Sequence, residues 1–174
     1  MLNKRPITIS DDGLTAKVIL TRGFESVIDF KSIDVVRDIS WSAHKQNGEF
    51  YAYGCVGGSG NNALMHRLLL GITDPYVEVD HKDGDRMNNR IDNLRLCKRG
   101  QNCANRKSWN KNSEYKGCYL KNGGPKWQLS MTVNKKVLHL GNFDSEIECA
   151  KAYNENAIKF HGEFAKLNII KGEY

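Results

Sequence analysis

The chain has 174 residues and a formal net charge of +6, and 40% of its residues are hydrophobic. These values fit one ordinary domain or two small ones, and they exclude wholesale disorder, collagen-like structure and coiled coil. The apolar stretches are far shorter than the roughly 20 residues of a membrane helix, and the N-terminus has no apolar run of signal-peptide length. We therefore expect a cytoplasmic protein with no membrane partner and with its five cysteines reduced.

The positive charge is concentrated in one part of the chain. Residues 98–136 contain ten Lys or Arg and a single acidic residue, Glu114, with aromatic residues between them. A basic stretch with interleaved aromatic residues is typical of proteins that bind polyanions such as nucleic acid. The alternative is that this basic stretch forms a solvent-exposed face that binds no partner.

The first part of the chain predicts short strands followed by an apolar helix. Strands are expected at 7–9, 16–20, 26–29 and 50–56, with turns at Asp12-Gly13 and Asn47-Gly48 and a short helix over 31–37. Residues 63–71 are apolar almost throughout, which predicts a buried helix that ends at Gly71.

The next segment predicts a strand at 76–80, a polar loop, a strand at 91–97, a helix at 101–107 and a polar linker at 108–114. The first strand places Asp80 beside His81, and Asn102 lies on the helix. If this hairpin folds its two ends together, Asp80 and Asn102 can share one hard cation through oxygen atoms. Oxygen ligands suit Mg²⁺ or Mn²⁺ better than Zn²⁺. With an ordinary pKa of about 6.5, His81 is a natural general base for a water molecule beside that cation.

The C-terminal part predicts three strands, at 115–121, 126–133 and 136–140, and a helix over 145–161. Alternation along the strands places apolar side chains toward the helix and polar ones on the outer face. Trp127 belongs to the apolar set and is expected in the core. One small sheet covered by one helix is a plausible domain of about 60 residues.

Four segments of the central region resemble the H-N-H endonucleases of the phage and intron-encoded homing type. They are MHRLLLG (65–71), VDHKDGD (79–85), NNRIDNLR (88–95) and QNCAN (101–105). The resemblance implies a nuclease domain over 1–107 with a ββα-metal core at about 76–107. It also implies that Asp80 and Asn102 bind the metal, that His81 is the general base, and that Asn93 pins the loop and orients the histidine. Arg106 stands where a third histidine ligand can occur, so Mg²⁺, or else Mn²⁺, is expected and zinc is not.

Five segments of the C-terminal region resemble the plant ethylene-response-factor DNA-binding domain. They are YKGCY (115–119), KWQ (126–128), HLGNF (139–143), ECAKAYN (148–154) and FHGEFAKLN (160–168). That domain lays a three-stranded sheet into the major groove and packs one helix behind it. The resemblance implies a second, DNA-binding domain over 115–168.

The combined expectation is an α+β protein: a ββα-metal nuclease domain preceded by a small antiparallel sheet, then a three-stranded antiparallel sheet packed on one C-terminal helix. The expected function is metal-dependent cleavage of duplex DNA by a homing or phage-encoded endonuclease, in a bacterial or phage-infected cell. Either nicking or double-strand cutting is compatible with it. No protein partner is implied, although a homodimer stays open. The residues expected to contact DNA are Arg67, Arg90, Arg95, Arg106, Lys116, Tyr119, Lys121, Lys126, Gln128, Ser130, Thr132, His139 and Asn142.

Two other functions remain open from the residues alone. The chain could be a DNA-binding regulator with an inactive nuclease domain, although all four key positions are intact. It could also be a nuclease that acts on RNA or on junctions. An outer sheet face suits the B-form major groove better than the shallow minor groove of RNA.

Overall fold

The structure is a computed structural model that describes residues 5–57, 60–105, 112–120 and 124–171. It is a mixed α+β protein whose contacts divide the chain after Cys97 into two compact units. The strands of every described sheet pair antiparallel, which confirms the expected α+β class with small antiparallel sheets. Within the described residues, no helix combines the length and the apolarity needed to cross a bilayer.

The first unit contains two three-stranded sheets and a two-stranded ribbon. The first sheet has the order β1–β2–β3, the second has the order β4–β5–β6, and the ribbon pairs β7 with β8. The strands are β1 (Ile7–Ile9), β2 (Thr15–Ile19), β3 (Glu25–Asp29), β4 (Ser40–Gln46), β5 (Glu49–Cys55), β6 (Asn62–Leu64), β7 (Glu78–His81) and β8 (Leu94–Cys97). The short helices of this unit are α1 (Ile33–Val36) and α2 (Met65–Leu69).

Both three-stranded sheets contribute to one apolar core, which includes Ile28, Trp41 and Met65. Trp41 alternates with Ala43 on the inner side of β4, and its indole N–H donates to a backbone carbonyl at 2.9 Å. The buried indole therefore keeps a hydrogen bond, which removes the main cost of burying its polar atom.

Two predicted elements of this unit differ from the observed ones. The apolar stretch 63–71 divides between β6 and α2, because its first residues pair with the edge of β5. The left-handed φ of +65° at Gly71 follows that helix as predicted. The predicted strand at 91–97 is shorter than expected, because Ile91–Asn93 forms a 3₁₀ turn and only Leu94–Cys97 pairs with β7.

The second unit contains a short helix, a three-stranded sheet and one long helix. The elements are α3 (Arg99–Ala104), β9 (Cys118–Leu120), β10 (Trp127–Val133), β11 (Lys136–Phe143) and α4 (Glu146–His161), and β10 is the central strand. Ser145 caps α4, because its hydroxyl accepts from the Glu148 N–H while the Glu148 carboxylate accepts from the Ser145 N–H. Trp127 packs against the core between sheet and helix. The structure thus confirms the predicted small sheet with a C-terminal helix.

Candidate functional site

The ribbon β7–β8 places a buried carboxylate opposite an arginine. Asp80 pairs with Arg95 across the ribbon, and Asp80 is fully buried. The Nε and Nη2 atoms of Arg95 donate to Asp80 Oδ2 at 3.0 and 2.7 Å. From the loop between the strands, Arg86 Nη1 lies 3.5 Å from Asp80 Oδ1. The carboxylate is therefore held between two guanidinium groups, and charge-assisted contacts of this kind are the strong ones.

His81 is the next residue along β7, and both of its ring nitrogens have polar neighbours. Nε2 lies 3.4 Å from Asn89 Oδ1, and Nδ1 lies 3.4 Å from Arg86 Nη1. Asn89 Nδ2 faces the Ser26 hydroxyl at 2.8 Å and the Met87 carbonyl at 3.4 Å. Because a carbonyl only accepts, that contact assigns the amide orientation, and Asn89 Oδ1 is left to accept from Nε2–H. The lone pair of His81 is then on Nδ1.

Two histidine rings lie together at this place. The ring centroids of His66 and His81 are 5.1 Å apart in an edge-to-face arrangement. Burial, followed by the nearby Arg86, lowers the pKa of His81 to about 4. Burial, followed by His81, lowers the pKa of His66 to about 3. Both imidazoles are therefore neutral at neutral pH, and a neutral imidazole is the form that accepts a proton.

Asn93 organises the loop that joins β7 to β8. Its Nδ2 donates to Asp83 Oδ1 at 3.0 Å and to the Asn88 carbonyl at 2.8 Å, while its Oδ1 accepts from the Asp83 N–H at 3.1 Å. Asn88 Nδ2 donates to the second oxygen of the Asp83 carboxylate at 2.7 Å. The side chain of Asn93 thus holds both ends of the loop, whereas the amide that contacts His81 directly belongs to Asn89.

The strand β3 supports the same loop from the N-terminal sheet. The Val27 N–H donates to the Met87 carbonyl at 2.9 Å, and the Asn89 N–H donates to the Val27 carbonyl at 2.7 Å. Asp29 accepts from Arg90 Nε at 3.1 Å and from the next backbone N–H at 2.7 Å. Residues about 60 positions apart in the sequence therefore position the loop that contains Arg86 and the amide beside His81.

Several residues predicted to contact DNA have partners within the protein. Arg95 binds Asp80 and Arg90 binds Asp29, as described above. Arg67 donates to the carbonyls of Val77 and Asp74 at 2.6 and 2.5 Å, and so ties α2 to the chain that follows it. Arg106 and Lys121 lie outside the described residues.

Asn102, the second predicted metal ligand, lies on α3 in the second unit. Its side chain is half-buried, and its N–H donates to the Lys98 carbonyl at 3.1 Å. Lys116 is also half-buried, and its ammonium group donates to the Ala104 carbonyl at the end of the same helix.

The polar residues predicted on the outer sheet face do form a hydrogen-bonded row across the three strands. Tyr119 Oη lies 3.0 Å from Ser130 Oγ, and Ser130 Oγ lies 2.8 Å from His139 Nδ1. Gln128 Nε2 lies 3.1 Å from the same imidazole nitrogen. Three predicted residues complete the set: Thr132 and Asn142 are exposed, and Lys126 pairs with Asp144 at 3.1 Å.

Asp80 offers two carboxylate oxygens of the kind that a divalent cation takes, and in this structure both are in contact with arginine side chains. Carboxylate and amide oxygens are the ligands that Mg²⁺ and Mn²⁺ prefer. Burial, followed by Asp80, raises the pKa of the nearby Cys97 to about 11, so this thiol is protonated at neutral pH. In the part of the chain that the structure describes, no group of three or more His, Cys, Asp or Glu is placed to hold a metal ion.

Comparison with known proteins bears on both units. Residues 70–104 match the HNH endonuclease family. The chain is similar to the AP2-like ethylene-responsive transcription factor TOE2 of Arabidopsis thaliana, with 26% identity over 137 residues, or 79% of this chain and 22% of that protein. It is 38% identical over 64 residues to APETALA2-like protein 2 of Oryza sativa subsp. indica, or 36% of this chain and 14% of that protein. The chain thus covers less than a quarter of these plant relatives. No solved structure matches it significantly.

These matches confirm the two resemblances drawn from the sequence. The HNH match covers the ribbon, the loop and the helix that carry Asp80, His81, Asn93 and Asn102, and HNH nucleases generally use a divalent metal ion.

The residues that sequence reasoning missed are Arg86, Asn89 and Ser26. Asn89 had a sequence signal, since it lies in an Asn-Asn pair inside the matched segment, whereas the contact with Ser26 arises only from tertiary structure.

Proposed function

We propose that the protein is a DNA endonuclease that hydrolyses phosphodiester bonds of duplex DNA, with His81 as the general base. The observation that carries this proposal is the neutral, buried imidazole next to Asp80, with Nε2–H directed at Asn89 and the lone pair on Nδ1. A general base requires a fixed ring and a lone pair, and the contact with Asn89 fixes the ring with its lone pair on Nδ1. Arg86 Nη1 faces that lone pair at 3.4 Å in this structure, so in this proposal the attacking water takes the place of the guanidinium when DNA binds. The match of residues 70–104 to HNH endonucleases supports the reaction class.

In this proposal each residue of the loop has a separate role. His81 accepts the proton of the attacking water at Nδ1, and Asn89 holds the opposite edge of the ring. Asn93 keeps the loop in shape through its bonds to Asp83 and Asn88. Arg86 and Arg95 hold the carboxylate of Asp80 in place beside His81. The expected products carry 5′-phosphate and 3′-hydroxyl ends.

Asp80 and Asn102 are the residues that we assign to a divalent cation, Mg²⁺ or alternatively Mn²⁺. Such an ion, when bound, supplies Lewis-acid stabilisation of negative charge on the phosphate and on the departing oxygen. The ββα-metal arrangement over about 76–107 and the domain limits 1–107, 108–114 and 115–168 belong to this proposal.

The polar outer face of β9–β11 is the surface that we assign to duplex DNA. The row formed by Tyr119, Ser130, His139 and Gln128 offers hydrogen-bond donors and acceptors on the side of the sheet opposite α4. Groups of this kind can read base edges in the major groove, while lysines such as Lys116 and Lys126 meet phosphates. A nuclease that carries its own DNA-binding module fits a homing or phage-encoded enzyme in the cytoplasm of a bacterial or phage-infected cell.

The test is cleavage of supercoiled plasmid with Mg²⁺, comparing the wild type with His81→Ala, Asn102→Ala and Asn93→Ala. We expect the wild type to give open circles or linear DNA, and EDTA to stop the reaction. Loss of a general base usually costs 10²- to 10⁴-fold in rate, so His81→Ala should show almost no product. Linear product from the wild type would point to paired active sites.

The matched control is His44→Ala, because His44 is an exposed histidine of the same unit. This variant should cleave like the wild type. Plasmid binding in Ca²⁺ separates an endonuclease from a DNA-binding regulator. A wild type that binds the plasmid and its native locus but never cuts them with Mg²⁺ would be a DNA-binding regulator. Equal activity of His81→Ala and His44→Ala would refute the assignment of the base.

A further inference from the structure

The second unit contains a cleft of about 900 Å³ between α3 and the central strand β10. The strand β9 pairs with Trp127–Leu129, and the Ser130 N–H donates to the Gly117 carbonyl at 2.9 Å; among the described residues, no strand pairs with the rest of β10 on that side. Ser130–Val133 of β10, residues of α3 and the α4 side chains of Tyr153, Phe160 and His161 line the cleft. The cleft lies entirely within this unit.

Every charged side chain among the described lining residues of this cleft is basic. Lys98 precedes α3, Arg99 begins it, Lys135 lies in the turn after β10, and Lys116 and His161 also belong to the lining. No Asp or Glu is among the described residues that line it. Lys98, Arg99 and Lys135 are exposed. Four cationic side chains around one cavity, with no acidic residue among the described lining, form an attractive site for an anion.

The pKa values of the two basic groups that line the cleft from the β9 and α4 sides of the unit, Lys116 and His161, are lowered. Lys116 is half-buried, and burial followed by the charge of Lys166 lowers its pKa to about 8. Burial followed by the charge of Lys116 also lowers the pKa of His161. At neutral pH Lys116 is therefore charged at a cost that an incoming anion would relieve, while His161 is neutral; perturbed groups of this kind are common in binding sites.

The cleft is continuous with the outer sheet face. Ser130 and Thr132 line the cleft, and Ser130 also belongs to the hydrogen-bonded row formed with Tyr119 and His139. A duplex that lies on the row therefore brings its sugar–phosphate backbone next to the mouth of the cleft. The exposed rim cations and the hydroxyl groups match phosphodiester oxygens, which accept hydrogen bonds from Lys, Arg, Ser and Thr.

We propose that this cleft binds backbone phosphates of duplex DNA, and that Arg99 and Lys135 on its rim are phosphate contacts. The proposal rests on the DNA-binding function proposed above and adds a contact surface outside the recognition face of the sheet. The shared chemistry is a phosphate oxyanion, so a free inorganic phosphate is the competing ligand that the experiment must separate from DNA.

Cys103 provides a direct measurement, because it is an exposed thiol that lines the cleft. The probe is iodoacetamide, and Cys103 alkylation is followed by mass spectrometry in the full-length protein, with Cys103→Ser to identify the signal. Saturating plasmid DNA, with Ca²⁺ in place of Mg²⁺ and at low salt, is expected to slow alkylation about tenfold or more. Inorganic phosphate at the same phosphate concentration is expected to leave the rate unchanged.

The second measurement is the salt dependence of DNA binding by the variants Arg99→Gln and Lys135→Gln. Each lost phosphate contact should lower the slope of log K against log salt by about 0.9. The matched control is Lys159→Gln, which removes the same charge from α4 outside the cleft, and its slope should stay closer to that of the wild type.

The outcomes separate this proposal from the proposed function. Failure of the wild type to bind DNA at low salt would refute the DNA-binding function, and the cleft proposal with it. Tight DNA binding with unprotected Cys103, and with rim variants that behave like Lys159→Gln, would refute the cleft proposal alone. Protection by inorganic phosphate but not by DNA would assign the cleft to a small anion and would also overturn the proposal.

Discussion

The pair formed by Asp80 and Arg95 gives a quantitative test of the site that does not depend on activity. Asp80 is fully buried and Arg95 is 11% exposed, and two hydrogen bonds join them. The variant Arg95→Gln removes the positive charge and leaves the carboxylate buried. Since a buried charge without its partner is costly, we expect the free energy of unfolding of the first unit to fall.

The distances set the expected size of the effect. With charge centres about 4 Å apart and an effective dielectric constant of about 20, the attraction is about 4 kcal/mol. Removing one partner of a buried pair typically costs about 3–5 kcal/mol. Arg86 remains 3.5 Å from the other carboxylate oxygen and compensates in part. We therefore expect a loss of about 3 kcal/mol, near the lower end of that range.

The assay is urea unfolding in EDTA, followed by the fluorescence of Trp41, which is 1% exposed in the core of the first unit. Trp109 and Trp127 lie outside that unit and are replaced by Phe in every variant. With an m value of about 1.5 kcal/mol per molar urea, the midpoint should fall by about 2 M.

Two further variants make this result interpretable. Arg37→Gln breaks an exposed ion pair with Asp34 and should cost less than about 1 kcal/mol. The triple variant Asp80→Leu/Arg86→Met/Arg95→Met should recover much of the lost stability, since replacing every member of a buried ionic group by apolar residues is often neutral. If Arg95→Gln costs no more than Arg37→Gln, the carboxylate is not held by Arg95 and the electrostatic description of the site is wrong.

Two other predictions concern buried groups of each unit. Because the pKa of His66 is about 3 in the folded protein and about 6.5 when unfolded, only the unfolded state takes up its proton between these values. The free energy of unfolding therefore falls as the pH falls below about 6.5. Urea unfolding should show that His66→Gln reduces the loss of this free energy between pH 7 and pH 5 by about 2 kcal/mol. An unchanged loss would show that His66 is not buried as a neutral group. In the second unit, a Cβ on Gly117 (φ +80°) would lie 2.2 Å from a ring carbon of Tyr153, so Gly117→Ala should cost about 3 kcal/mol in thermal unfolding. Gly71→Ala, at φ +65° after α2 with no atom within 4 Å, should cost about 1 kcal/mol, and equal losses would refute the predicted clash.

Sequence patterns predicted the second unit better than the first. The three strands and α4 follow from alternation, helical spacing and a capping box, all of which act between near neighbours. In the first unit, β4 was not predicted because its sequence SWSAHKQ is mostly polar, although the Asn47-Gly48 turn requires a strand on each side. The apolar stretch 63–71 could not reveal that its first residues pair with β5, because an apolar run does not distinguish a strand from a buried helix.

The candidate site shows the same limit in finer detail. The order of Asp80, His81 and Asn93 along the ribbon and its loop could be derived from the sequence, because strands and turns are local. The support from Ser26 and Asp29 could not, since about 60 residues separate them from the loop that they hold.

The adjacent residues Asn88 and Asn89 differ in their contacts because of tertiary packing and not because of local sequence. They are identical in sequence and equally suited to a turn, but Asn88 bonds to Asp83 within the loop, while Asn89 is 1% exposed and lies between Ser26 and His81. Burial makes the difference, because a buried amide must satisfy its donors and acceptors within the protein and so fixes whatever it contacts. The residue that orients the candidate base is therefore determined by the packing of β3 against the loop, and the N-terminal sheet is part of the machinery of the site.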